Sequence, residues 1–396
     1  MKTVVLYDEN WHGHHPTYLR IITKTFLESD CSVWLFCQNS HAIKDWINQN
    51  ANFNKTNKLI IVDIIPEHLN WLTGLLFSGI KNWINALKHI RAIENKEQLK
   101  PDFVFFLKLD DFNKGVVPGR LIDMIFPYQW SGIFIHLIFP HKFQLPILRQ
   151  FICQPFSIFS SKKCRSVAIF QEDKVKKLNA YINKKVIQFP DMTDEAPPSG
   201  SKLIDQIYNK ARGRKIIGLI GGQDKRKGAF TLLEIAKNNC DKDFFFIFIG
   251  KMNYHNSDLE LNELKQIIGD ENKWENCFFH FERIKNESNF NAFIKISDII
   301  YAVYNNFHCS SNIMTKAALF QKPILVSSGT LMEDRVLKYG TGISCNEHDI
   351  EDIRISIKKL INNELSNPLY NEYQKKHSQE KLKETINYII NDALLP

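Results

Sequence analysis

The chain has 396 residues, 44% hydrophobic and 24% charged, which excludes a disordered, collagenous or coiled-coil protein. At ~150 residues per domain the length corresponds to two or three domains. The net charge of +8 is uneven: residues 1–195 hold 24 Lys and Arg against 18 Asp and Glu, and residues 196–396 hold 27 against 25, so the first half is the basic one.

In chain order, residues 3–7 read as a strand, 8–16 as a loop, and a helix begins near Thr17. A strand at 32–37, a helix near 41–48 and a strand at 58–64 follow. Strands at 103–107, 132–136, 166–170 and 185–189 continue the series, and strands alternating with helical stretches predict a parallel, doubly wound sheet. Residues 190–200, with Pro190, Pro197, Pro198 and Gly200, form the most linker-like segment. The pattern then starts afresh, with strands at 215–220, 244–249, 277–281, 298–304 and 323–327. Helices are expected at 228–237, 259–268, 289–296, 312–320 and 350–362, and a terminal helix carries Leu382, Ile386 and Ile389 at helical spacing. The 29 phenylalanines gather in runs such as 103–107 and 244–249, which read as strands buried on both faces. The expected architecture is α/β: two doubly wound Rossmann-like domains, with a ligand in the cleft where their strand ends face each other.

No run of about twenty apolar residues occurs, so no membrane span is expected. The apolar run at the N-terminus is too short for a signal peptide and has no small-residue cleavage site. The eight cysteines form no C-x-x-C pair, and Cys31, Cys37 and Cys277 fall in strand-like runs. Buried thiols in a reducing cytoplasm fit that distribution.

Two segments carry chemistry. Ile220-Gly221-Gly222-Gln223-Asp224-Lys225-Arg226-Lys227-Gly228 joins a strand to a helix. Its glycines permit close backbone approach, three cations follow, and the helix start offers N–H groups, a combination suited to a diphosphate or to an ordinary basic turn. It is not a Walker A loop, since Ala229-Phe230 stand where Lys-Ser/Thr is required. The second segment, Asn305-Asn306-Phe307-His308-Cys309-Ser310-Ser311-Asn312, also follows a strand and precedes a helix. Its Ser and Asn residues suit helix capping and equally suit phosphate oxygens.

Residues 215–345 resemble the C-terminal domain of retaining GT-B glycosyltransferases of the large family-4 type. The strand and Gly-Gly–Lys-Gly turn at 216–228 resemble that family's phosphate-binding turn, and 246–250 its next strand ending in glycine. Ile296-Ser297-Asp298-Ile299-Ile300 is similar to its approach to the donor loop. Residues 317–327 (AALFQKPILVS) resemble its following helix and "gkPvi-s" strand, and Gly340-Thr341-Gly342 its "G-tG" turn. In the first half, Gly13-His14-His15-Pro16-Thr17-Tyr18-Leu19 resembles the first loop and helix start, and 189–194 fall where its inter-domain linker falls. The resemblance implies a GT-B fold with an acceptor domain at 1–190, joined by a terminal helix at 375–396, and a nucleotide-sugar donor domain at 201–374.

The implied activity is transfer of a sugar from a nucleotide-diphosphate sugar to an acceptor hydroxyl, with retention, without a metal and with no cofactor beyond the nucleotide sugar. Lys227, with Arg226, Gly221 and Gly222, would hold the diphosphate, and Arg283, His308, Ser310, Ser311, Asn312 and Lys316 complete the expected donor set. His136, at the end of a strand, and His14 would orient the donor sugar. Gly13, His14 and His15 form the loop that meets donor phosphates or acceptor. The family's two glutamates, separated by seven residues, are replaced by His308 and Lys316, and Gly222 stands where the family has an arginine. The ribose and sugar contacts therefore differ from the family pattern, whereas the diphosphate contacts are kept.

His12, His14 and His15 lack a carboxylate or cysteine at ligand spacing, so no metal is expected. Asp110-Asp111 reads as a solvated loop or an acceptor contact. In residues 71–88, Leu72, Leu75, Leu76, Ile80, Trp83, Ile84 and Leu87 make one apolar helical face, expected to pack on its own sheet. The alternative for this helix is to lie on an anionic membrane, aided by the basic first half. The expected location is cytoplasmic, with or without peripheral contact at the inner membrane face, and no nucleic-acid partner is expected. Two functions of other classes compete with sugar transfer: a GT-B sugar-nucleotide epimerase, and a non-catalytic binding or scaffold protein with a degenerate donor site.

Overall fold

The structure, a computed structural model, describes residues 2–11, 15–54, 56–65, 71–115, 117–137, 156–238, 243–251, 258–284 and 286–393. The chain divides into two compact units, one of residues 1–192 with 378–396 and one of residues 193–377.

Unit 1 is built on a seven-stranded sheet of order β3-β2-β1-β4-β5-β6-β7, in which every neighbouring pair is parallel. The strands are β1 (Lys2–Tyr7), β2 (Cys31–Cys37), β3 (Leu59–Asp63), β4 (Phe103–Phe106), β5 (Trp130–Ile133), β6 (Cys164–Ile169) and β7 (Lys185–Gln188). The helices are α1 (His15–Leu27), α2 (Ser40–Asn50), α3 (Trp71–Glu97), α4 (Gly119–Ile125) and α5 (Val175–Ile182). Strands β2 and β4 are buried along their whole length, as a continuous apolar run requires when both faces are covered. Their residues alternate between two cores. Phe103 and Phe105 face one with Leu19, Ile22 and Phe26, while Val104 and Phe106 face the other with Trp83. Trp83 is fully buried, with Phe106, Phe112, Phe126 and Trp130 at 4.9–5.2 Å between ring centroids. Each such ring stabilises the fold by roughly 1.5–3 kcal/mol through burial. Trp83, Ala86 and Ile90 thus seat α3 on its own sheet, while Phe77 and Ile84 are exposed.

Unit 2 carries a six-stranded parallel sheet of order β10-β9-β8-β11-β12-β13. Its strands are β8 (Lys215–Ile220), β9 (Phe244–Ile249), β10 (Cys277–His280), β11 (Ile299–Ala302), β12 (Ile324–Ser327) and β13 (Gly342–Cys345). Its helices are α6 (Lys202–Ala211), α7 (Ala229–Lys237), α8 (Asp258–Ile268), α9 (Glu287–Ile296), α10 (Asn312–Leu319), α11 (Leu331–Tyr339), α12 (Ile350–Ile361) and α13 (Tyr370–His377). The last helix, α14 (Gln379–Ala393), returns to unit 1, where Leu382, Ile386, Ile389, Ile390 and Ala393 join the core that holds α1.

Three local differences from the sequence expectations have physical causes. Helix α1 begins at His15 rather than Thr17, because Pro16 is tolerated in a first turn whose N–H groups have no intrahelical partner. Strand β5 ends at Ile133, so His136 lies three residues beyond the strand. Helix α11, which was not expected, is capped by Thr330, whose side chain accepts from Glu333 N–H while Glu333 accepts from Gly329 N–H at 2.6 Å.

Candidate functional site

In an open parallel sheet, ligand-binding loops gather beyond the strand ends at the point where the strand order reverses. In unit 2 that point lies between β8 and β11, which pair in parallel. The 221–228 turn and the 305–312 loop therefore sit side by side. Asn305 ties them, its backbone N–H donating to Arg226 O at 2.8 Å and its side-chain amide to Lys225 O at 2.6 Å.

The turn owes its shape to left-handed glycines. Gly250, at the end of β9, has φ +129°, and a Cβ there would lie 2.1 Å from Gly221 O. Gly228 has φ +75° as the residue before α7, and its Cβ would meet Val303 O at 2.3 Å. Asp224 accepts the Lys227 N–H at 2.6 Å and closes the turn from inside. Gln223 is buried and donates to the carbonyls of Leu219, Gly221 and Ile249.

The three cations do different work. Lys225 pairs with Glu263 at 2.6 Å and lies over Phe230. Lys227 places its ammonium 3.8 Å from the centre of the Tyr304 ring and 5.7 Å from that of Phe307, and the Arg226 guanidinium is 5.4 Å from Phe307. Tyr304 and Phe307 pack edge to face with centroids 5.5 Å apart. Two cations of one turn are thus held against aromatic rings at the base of the other loop.

Along 305–312, Asn306 adopts φ +50° and donates its N–H to Glu347 at 2.8 Å. His308 is exposed. Ser310 accepts a 2.6 Å hydrogen bond from Arg335, which is 2% exposed. Ser311 precedes α10 without capping it by its side chain, and Asn312 accepts from the Thr193 hydroxyl at 2.7 Å. Lys316 points elsewhere. It is 4% exposed, and its ammonium lies 2.9 Å from Glu287, 2.7 Å from Asn291 Oδ1 and 3.3 Å from Asp194 O. Lys316 is therefore held between α9, α10 and the 193–196 segment. Arg283 is exposed on the segment after β10 and makes no hydrogen bond or ion pair among the described residues. Of the expected donor set, Gly221, Gly222, Arg226, Lys227, His308, Ser310, Ser311 and Asn312 share the two adjoining loops, and Lys316 and Arg283 stand apart.

In unit 1 the strand order reverses between β1 and β4, and a polar network lies at their ends. Asp8, buried, accepts from Asn10 N–H at 2.9 Å and lies 2.8 Å from His15 Nδ1. Asn10 donates to Asp111 at 3.0 Å, and Lys108 and Lys114 lie 3.1 and 2.5 Å from the Asp111 carboxylate. Burial alone would raise the Asp111 pKa, but Lys108, Lys114 and Asn10 outweigh it and hold it at about 2. Asp110 accepts from the N–H groups of Ile135 and His136 and lies 2.9 Å from His136 Nδ1. His12, Gly13 and His14 lie outside the described residues. Among the described residues no cluster of three or more His, Cys, Asp or Glu is arranged to hold a metal ion, and no helix is long and apolar enough to cross a membrane.

Sequence reasoning did not single out Asp8, Arg335 or the bond from Asp110 to His136. Asp8 had a signal, being an acidic residue at the end of the first strand. Arg335 had none, since it reads as an ordinary charge in a helix.

Residues 201–381 match the family described as glycosyl transferases group 1. No curated protein sequence matches the chain. Among solved structures, a glycosyltransferase from Rickettsia africae is 12% identical, with 99% of this chain and 98% of that one covered and a TM-score of 0.68. Sucrose-phosphate synthase from Thermosynechococcus elongatus is 13% identical over 99% and 98%, with a TM-score of 0.69. HepE from Anabaena in complex with UDP is 12% identical over 99% and 100%, with a TM-score of 0.66. The fold is GT-B, and unit 2, whose six strands all fall within the matched residues, is a group 1 glycosyltransferase domain.

Proposed function

We propose that the protein is a glycosyltransferase that moves a sugar from a nucleotide-diphosphate sugar to an acceptor hydroxyl, with retention of configuration and without a metal ion. The observation that carries this reading is the apposition of the 221–228 turn and the 305–312 loop beyond β8 and β11. Gly221 and Gly222 admit a phosphate close to the backbone, and Lys227 and Arg226 supply the positive charge that a metal would otherwise bring to the diphosphate. His308, Ser310, Ser311 and Asn312 line the second loop, where hydroxyls and the start of α10 suit phosphate oxygens. Lys316 serves the site through its framework, and Arg283 is an outlying member. On unit 1, His136, Gly13, His14 and His15 are the residues assigned to the sugar and acceptor, with Gly13 and His14 outside the described residues. HepE is known in complex with UDP, with UDP and glucose, and with UDP-glucose, which supports a uridine-diphosphate sugar as donor. The described cysteines are free, which supports a reducing, cytoplasmic setting.

The test is a thermal-shift panel of nucleotide sugars on the wild-type chain, followed by turnover of the best ligand. A ligand at 100 times its Kd stabilises by about 2.7 kcal/mol, enough to read as a shift. Lys227→Ala and Arg226→Ala should each weaken turnover, Lys227→Ala by roughly 100-fold, as expected for one lost charge stabiliser of a leaving group. If no nucleotide sugar shifts the protein, the scaffold reading replaces this one. If the donor is converted without acceptor to an epimeric nucleotide sugar, the epimerase reading does.

A further inference from the structure

We infer that Thr193 is a positioning residue for the 305–312 loop: its hydroxyl anchors Asn312, the residue where that loop becomes α10, and so holds the loop in place for a nucleotide diphosphate. The use of the loop for a nucleotide rests on the function proposed above; the anchoring itself does not.

Helix α10 has eight residues, and the residue before it gives its start no side chain. Ser311 is extended there, with φ −132° and ψ 129°, and makes no side-chain capping hydrogen bond. The first N–H groups of a helix have no partner within it, so such a start depends on what other parts of the chain supply. The support comes from the segment that opens unit 2. The Thr193 hydroxyl donates to Asn312 Oδ1 at 2.7 Å, across 119 residues of sequence. One turn further along α10, the Lys316 ammonium donates to Asp194 O at 3.3 Å. Residues four apart lie on one face of a helix, so the face that carries Asn312 and Lys316 is laid along Thr193 and Asp194.

An anchor must itself be held, and this one is. Thr193 and Asp194 are 1% and 7% exposed. Asn291 of α9 donates to the carbonyls of Asp194 and Ala196, and the Asp194 carboxylate accepts the Ala196 N–H at 3.0 Å. The two contacts on α10 differ in what they secure. Lys316 is a buried cation paired with Glu287, so its loss bears on the stability of unit 2. Thr193 offers one neutral hydroxyl, a smaller term in stability, and it grips a residue of the loop itself. Valine, with a methyl where threonine has its hydroxyl, keeps the shape of the anchor and releases only the start of α10.

The experiment is amide hydrogen exchange on the full chain, followed in peptides covering 193–196, 305–316 and, as reference, α12, with and without UDP. In Thr193→Val without nucleotide, exchange over 305–316 should be about fivefold faster than in wild type, the size of one lost neutral hydrogen bond, with α12 unchanged. The UDP dissociation constant should rise by about the same factor, since binding must then recover the placed loop. Thr193→Ser, which keeps the hydroxyl, should match wild type in both. The wild type supplies a test that needs no variant to fold: UDP should slow exchange at 193–196 together with 305–316, because coupling between two sites acts equally in both directions. Unchanged exchange over 305–316 in Thr193→Val overturns the inference, as does faster exchange with an unchanged UDP dissociation constant. A serine variant that behaves like the valine one, or UDP protection that stops at the loop, overturns it too. Faster exchange throughout the chain does the same, since that is loss of stability and not of position. A wild type that binds neither UDP nor any other nucleotide sinks the proposed function instead, and exchange in Thr193→Val without nucleotide still decides the anchor.

Discussion

The ammonium of Lys316 lies 2.7 Å from the side-chain oxygen of Asn291, and both residues are buried. Asn291 in turn donates to the carbonyls of Asp194 and Ala196 at 3.1 and 2.7 Å, so the segment that opens unit 2 is strapped to α9 and α10 through one cation and one amide. Removing the cation leaves Glu287 and the Asp194 carbonyl without their partner. Lys316→Met should cost about 3 kcal/mol, the usual size for breaking one side of a buried ion pair, and lower the urea midpoint at constant slope. Lys316→Glu should cost more, because it sets a second carboxylate beside that of Glu287. A change below about 1 kcal/mol for both would show that the strap is not held by this charge.

The diphosphate turn depends on a backbone contact that admits no side chain. Gly250→Ala places a methyl 2.1 Å from Gly221 O at a φ of +129°. The expected loss is at least about 2 kcal/mol, since left-handed strain and backbone displacement add. Because the displaced atom belongs to Gly221, nucleotide affinity should fall with stability, and calorimetric titration of the folded fraction separates the two.

Thiol chemistry offers an independent reading of the same loop. Burial pushes the thiols of Cys37, Cys164 and Cys277 up to about 12 and that of Cys31 to about 11, which makes them poor nucleophiles at neutral pH. Cys309, between His308 and Ser310, is the only described cysteine that is not buried. Alkylation followed by peptide mapping should label Cys309 first among the described cysteines, and a saturating nucleotide diphosphate should slow that labelling several-fold. Equal rates with and without nucleotide would remove the 305–312 loop from the donor site.

Acid should unpick unit 1 at a defined place. The Asp111 carboxyl, ordinarily at 3.8, is held at about 2 in the folded chain, so its contribution is present above about 4 and is lost as the pH falls through about 2. The difference corresponds to roughly 2 kcal/mol, an upper figure because Asp111 keeps some solvent contact. Asp111→Asn should destabilise the protein near neutrality and flatten the wild-type decline between about pH 4 and 2, measured as the difference between the two unfolding curves.

The strands were the legible part of this sequence. Residues 215–220 and 244–249 are bounded in the structure as the apolar runs bound them, because 216–220 and 244–249 are covered on both faces and only Lys215, at the first strand's outer end, is exposed. Short helices were harder. Helix α6 begins with Ser201 accepting from Ile204 N–H, and α11 with the Thr330–Glu333 box, and both signals are in the sequence, within segments of mixed polarity that carry no long apolar period. The adjoining of the two loops of unit 2 was readable because both end strands in a repeating pattern. The destination of Lys316 was not, since only the fold decides that Asn291, Glu287 and Asp194, from distant parts of unit 2, surround it. The pairing of Asp110 with His136 was hidden for the same reason.

Helix α14 completes the core around α1 although the whole of unit 2 is encoded between them. During synthesis, then, the domain translated first is the last to close. Its sheet must wait, with the surface that Leu382, Ile386 and Ile389 later cover left open, until the ribosome has passed the second domain, which needs nothing beyond His377 to finish its own.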